Sequence, residues 1–200
     1  VGGGGKTTLL RALDRAGAAR GWRVSTGTTT RMFLHQTSDL ADFHSAGAVG
    51  DKVVGLSAEE MDQCFRQLRP DLLVVEADGS RSKVVKAPAD HEPVIPSTAT
   101  HVLSVIGADG LNRVIEDVAH RPMLVAAVCG CGPYERLTIE RAVTLMRSDR
   151  GGRRGLPPNS RHVVVLTRVG PRQQAYADEF VQRLERLGTE CVALPVLELD

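Results

Sequence analysis

Apolar residues fall along this chain in two kinds of run, and their alternation predicts a mixed α/β fold. Leu9, Leu10, Leu13 and Ala16 to Ala19 recur at helical spacing as far as Gly21, and Val24 to Thr26 then makes a short strand. Residues 32–56 show no period and carry several glycines, as a long excursion does. Ser57-Ala58-Glu59-Glu60 forms a capping box for a helix through about Leu68, ended by Arg69-Pro70. Leu72 to Val75 is a continuously apolar strand that emerges into Glu76, Asp78 and Gly79. A proline-rich, basic loop over 80–100 leads to a strand from His101 to Ile106, and an irregular stretch then runs to Tyr134. A helix from about Ile139 to Met146 is capped by Thr138, and a Gly/Arg/Pro loop follows over 149–158. His162 to Thr167 is another buried strand, followed by a helix from about Gln173 to Leu187, Gly188, and a strand from Cys191 to Leu194. Such alternation predicts an α/β fold in three layers, a mostly parallel sheet covered on both faces.

A chain of 200 residues suits one domain with a substantial core, spanning 1–200. Its 25 basic and 24 acidic residues are well mixed at net charge +1, which points away from nucleic acid or an anionic membrane as partner. The apolar runs are strand-sized, and no secretory leader is visible. Four scattered cysteines, Cys64, Cys129, Cys131 and Cys191, suggest a reduced, cytoplasmic protein. Cys129-Gly130-Cys131 offers two thiols for a soft metal, but two cannot complete a tetrahedral site, and small buried cysteines beside a Gly-Pro turn are the simpler reading.

Chemistry concentrates at the start. Gly2, Gly3, Gly4 and Gly5 run into Lys6, Thr7 and Thr8 at the head of the first helix, the composition of a phosphate-binding loop. Glycines let backbone N–H groups turn around an anion, lysine adds charge for the outer phosphates, and a threonine hydroxyl can ligate Mg²⁺. The full pattern G-x-x-x-x-G-K-[ST] asks for one more glycine ahead of Val1, and a strand should lead into the loop. The chain therefore reads as N-terminally truncated, with the first strand missing. The dinucleotide fingerprint G-x-G-x-x-G fails, since Thr7 stands where its third glycine belongs and the second strand ends without a carboxylate. Glu76 and Asp78 leave their strand at its carboxyl end, on the rim where parallel sheets bind ligands. One can hold Mg²⁺ with Thr7 and the other orient an attacking water, which makes Lys6, Glu76 and Asp78 the catalytic candidates and Thr7, Glu76 and Asp78 the metal candidates. Thr28, Thr29 and Thr30 end the second strand on that rim, where Thr29 is a candidate for contact with the γ-phosphate; β-turn composition explains them equally well.

Gly4 to Leu10, Thr28-Thr29-Thr30-Arg31, Val74 to Arg81, Lys86-Ala87-Pro88 and His91 to Pro96 together resemble the selenium-dependent molybdenum hydroxylase accessory family, called YqeC-like. His120-Arg121-Pro122 and Gly151-Gly152 match its weaker motifs. The resemblance covers nearly the whole chain. It implies a cytoplasmic, P-loop NTPase-like protein that binds ATP or GTP with Mg²⁺ and assists maturation of molybdenum hydroxylases, with a client hydroxylase or a cofactor-maturation protein as partner and the molybdenum cofactor as a further ligand. Two other classes stay open, a small-molecule kinase or nucleotidyltransferase and a non-hydrolysing cofactor-binding module. Arg81, Lys83 and Lys86 lie beyond the acidic pair, where Arg81 and Lys86 are candidates to meet an anionic cofactor or triphosphate, although loop cations are often only solvated. His91 and Glu92 suit metal binding or a structural hydrogen bond equally. Thr167-Arg168-Val169-Gly170 stands where guanine-selective NTPases carry Asn-Lys-x-Asp, so guanine selectivity is not encoded there, while Arg168 can stack on a base.

Overall fold

The computed structural model describes residues 1–196. They divide into two compact units: Lys6–Gly79 with Val94–Ala99, and Val1–Gly5 with Ser80–Pro93 and the chain from Thr100 onward. The fold is mixed α/β with parallel strands, as the alternation of apolar runs predicts.

In the first unit α1 (Lys6–Ala19) leads to β1 (Val24–Thr28). The unpatterned excursion then contains β2 (Met32–Phe33), β3 (Phe43–His44), β4 (Ala48–Val49) and β5 (Lys52–Val53), and α2 (Ala58–Leu68) and β6 (Leu72–Glu76) close the unit. β1 is the middle strand of a parallel sheet in the order β3-β1-β6, and its register pairs Val24 with Leu72 and Thr28 with Glu76. That register sets Glu76 at the carboxyl end of the sheet. α1 packs against β1 and β6. Gly17 permits the close approach, since a Cβ there would stand 2.6 Å from Val24 Cγ2. α2 begins with the expected capping box: Ser57 Oγ accepts from Glu60 N at 3.2 Å and Glu60 Oε2 accepts from Ser57 N at 2.7 Å. It ends at Arg69 in the left-handed conformation, immediately before Pro70.

The second unit holds β7 (Val85–Lys86), β8 (His101–Gly107), α3 (Ile115–Val118), β9 (Ala119–His120), α4 (Pro122–Cys129), α5 (Ile139–Arg147), β10 (Arg161–Val169), α6 (Gln174–Arg186) and β11 (Glu190–Pro195). β10 lies between β8 and β11, all parallel, and β7 pairs in parallel with β9. Val1 to Gly3 runs parallel beside β8: Val105 N donates to Val1 O and Gly3 N to Val105 O, both at 2.9 Å. Ile106, Ile115, Leu137, Leu145, Leu166, Phe180 and Leu184 are fully buried in this unit's core, each contributing about 2 kcal/mol through burial. The stretch to Tyr134, read as irregular, in fact contains α3, β9 and α4. α4 escaped because its sequence PMLVAAVC is apolar nearly all round and shows no period.

Candidate functional site

Lys6 opens α1, Glu76 ends β6 and Asp78 follows two residues later, and all three are buried in the first unit. Lys6 Nζ stands 3.4 Å from Asp78 Oδ1 and 4.0 Å from Glu76 Oε1. Thr7 Oγ1 donates to Glu76 Oε2 at 2.8 Å. Local rules explain the convergence. A helix beginning at Lys6 turns its first side chains toward the strand it packs on, and a buried apolar strand has to release its polar residues at its end. The result is one ammonium, one hydroxyl and two carboxylates around a helix N-terminus, whose leading N–H groups have no intrahelical acceptor.

The hydroxyl and the carboxylates are hard oxygen donors, suited to Mg²⁺, which takes one or two carboxylates and keeps waters and substrate phosphates as its other ligands. Among the described residues no group of three or more His, Cys, Asp or Glu is arranged for a metal, which excludes an all-protein cage there but not this mode of binding. Thr8 follows in the first turn of α1, partly buried. The threonines after β1 are tied to backbone. Buried Thr28 Oγ1 lies within donating distance of Glu76 O at 3.0 Å and Thr30 O at 3.1 Å, and Thr29 Oγ1 donates to Val94 O at 2.6 Å. Thr29 N also donates to Glu76 O at 3.1 Å, so this turn steadies the strand end that carries Glu76.

Gly2 to Gly5 belong to the second unit, and their backbone accounts for the glycine run. Gly2, Gly4 and Gly5 have φ of 95°, 88° and 103°, in the region that favours glycine. A Cβ on Gly3 would meet Lys83 O at 2.8 Å, and one on Gly4 would meet Gly107 N at 2.5 Å. Gly3 N and Gly4 N donate to Val105 O and Lys83 O, while Thr167 Oγ1 donates to Gly4 O. Part of the loop's backbone therefore anchors the loop itself.

The basic segment after Gly79 splits by role. Arg81 is exposed, and Lys83 Nζ donates to Asp117 O at 2.7 Å. Lys86 is buried and pairs with Glu92 Oε2 at 2.8 Å, an oxygen that also accepts from Arg121 Nη1 at 2.6 Å. Glu92 is thus a half-buried bridge between two cations. Burial acts to raise its pKa, but the hydrogen bonds from Lys86 and Arg121 outweigh that and hold it below the usual carboxylate range. Exposed His91 takes no part. His120, beside this cluster, is driven down to about 4 by burial and then by the charges of Arg121, Lys86 and Arg81, against the pull of Glu92. Sequence reading missed this grouping; its only signal was that Lys86, Glu92, His120 and Arg121 all lie in family motifs. It also missed Asp62, whose carboxylate accepts from the backbone and hydroxyls of Ser97 and Thr98 at 2.6–3.0 Å. Burial raises the Cys129 thiol to about 12, and its Sγ donates to Arg141 O at 3.4 Å, as a packed thiol does. Arg168 pairs with Asp109 Oδ2 at 3.0 Å.

The sequence profile described as "YqeC protein" matches residues 1–123. A protein of Escherichia coli (strain K12), "Uncharacterized protein YqeC", is 32% identical over 97% of this chain and 84% of its own length. No helix among the described residues is long and apolar enough to cross a membrane.

Proposed function

Because the chain belongs to the YqeC family, we propose that it is a cytoplasmic, Mg²⁺-dependent nucleotide-binding accessory protein. Its ligand is ATP or GTP, hydrolysed slowly, and its task is to assist maturation or cofactor insertion of selenium-dependent molybdenum hydroxylases. One observation carries the phosphate chemistry: Lys6, Thr7, Glu76 and Asp78 converge at the head of α1. The client rests on the family resemblance.

In this reading residues 1–200 work as one P-loop NTPase-like domain built on a three-layer sheet. The phosphate reading starts from the motif of Gly2 to Gly5, Lys6 and Thr7; the leading amides of α1, including Thr8, face the phosphates, and Lys6 draws the outermost ones in by charge. Thr7 and Glu76 would hold Mg²⁺, which when bound neutralises charge on the phosphate oxygens. Asp78 orients the attacking water. Thr29 keeps the end of β6 in place, and Arg81 and Lys86 supply positive charge toward an anionic ligand such as the molybdenum cofactor.

Phosphate release from ATP and from GTP, with and without Mg²⁺, tests this directly. Slow release that a molybdenum hydroxylase client stimulates supports the accessory NTPase. Release only with a small acceptor makes the protein a kinase, and cofactor binding with no nucleotide requirement makes it a binding module.

A further inference from the structure

A cavity of about 310 Å³ opens in the second unit, lined by residues that follow β8, by residues that follow β10, and by Arg136 from the segment before α5. These two parallel strands are neighbours, and the carboxyl ends of such strands are where α/β sheets take their ligands. The volume falls at the small end of the roughly 300–1,000 Å³ range of small-molecule sites.

The lining divides by chemistry. Ala108 and Leu111 are buried and apolar, and beside them Tyr176 is 39% exposed, its hydroxyl accepting from Asn112 Nδ2 at 3.4 Å. Arg113, Arg136 and Arg172 are exposed, and among the described residues none of the three is in an ion pair. Arg136 Nη1 donates to Asn112 O at 2.6 Å, a neutral partner that leaves its charge unanswered. Asp109 also lines the cavity, but its Oδ2 is taken by Arg168 at 3.0 Å. Three like charges gathered at one concavity repel one another and favour an anion there. Guanidinium groups match phosphate in a two-pronged fashion, and an apolar floor beside an aromatic ring accepts a flat heterocycle.

We propose that this pocket binds a phosphorylated planar heterocycle of the nucleoside monophosphate class, with the ring against Leu111 and Tyr176 and the phosphate on Arg113 and Arg172. It goes beyond the triphosphate reading, since none of these residues belongs to the group around Lys6.

Calorimetric titration of the full chain with AMP, GMP, ribose 5-phosphate and inorganic phosphate tests it, in wild type, Lys6→Ala and Arg113→Ala/Arg172→Ala. Both arginines are exposed, so the double variant is expected to melt as wild type does. The expected result is saturable binding of AMP or GMP that survives Lys6→Ala and weakens about tenfold or more in the double arginine variant. Tyr176→Ala should weaken the nucleotide and leave ribose 5-phosphate unchanged. Binding lost in Lys6→Ala but kept in the arginine variant overturns the proposal, as does the absence of saturable binding for both nucleotides. Equal affinity for inorganic phosphate and nucleotide removes the ring from the site and overturns it as well.

Discussion

Lys6 and Lys86 are both buried lysines facing carboxylates, yet the two are held in different ways. Lys86 sits 2.8 Å from Glu92, whose same oxygen takes Arg121 at 2.6 Å, the short contacts of a fully engaged charge-assisted bridge. Lys6 lies 3.4 Å from Asp78 and 4.0 Å from Glu76, and Thr7 donates to Glu76 at 2.8 Å. Two cations on one carboxylate make a clamp within the second unit. One cation facing two carboxylates is, in the proposed function, the place where phosphate and a divalent ion bind. Burial and charge alone do not distinguish the two groups; the ratio of cations to carboxylates does.

The sharpest break in that comparison is Lys6→Ala. It should lower hydrolysis about 1,000-fold while the circular dichroism spectrum stays that of wild type; hydrolysis that persists would remove Lys6 from the phosphate chemistry. Glu92→Ala should do the reverse, costing about 3 kcal/mol in urea unfolding because two cations lose their shared carboxylate, with nucleotide affinity preserved. Thr7→Val comes next, raising the Mg²⁺ concentration needed for half-maximal phosphate release about tenfold. The smallest effect is a pH dependence within the second cluster. The unfolded His120 takes up a proton near its ordinary 6.5 and the folded imidazole only near about 4, so its contribution to stability is full above that upper value and fades as pH falls toward the lower one. Glu92 acts in the same direction, since its lowered folded pKa makes its contribution present above the carboxylate range and lost as acid protonates it. Urea midpoints across that window should fall with pH in wild type and fall less in His120→Gln.

What the sequence made legible was whatever depends on neighbours in the chain. The Ser57–Glu60 capping box spans a single turn, and the apolar runs of β6, β8 and β10 declare themselves without knowledge of their partners. β3, β7 and β9 did not, because a two-residue strand has no period and exists only through a distant pairing such as Lys86 with His120. In the site, Glu76 and Asp78 were readable from the rim rule for parallel sheets, and Lys6 with Thr7 from the loop motif. The bond from Thr29 to Val94 was not, since it joins residues 65 positions apart through an irregular segment. Glu92 beside His91 read equally as a metal ligand or a structural hydrogen-bonding group, and nothing in the sequence marked Lys86 and Arg121 as its partners.

Calorimetric titration of nucleoside triphosphate into wild type and Glu76→Gln, each with and without Mg²⁺, tests the central claim most directly. The account predicts saturable binding of ATP or GTP to wild type that tightens with Mg²⁺, and a variant in which the Mg²⁺ effect is lost. Equal affinities in all four titrations, or no binding in any, would contradict it.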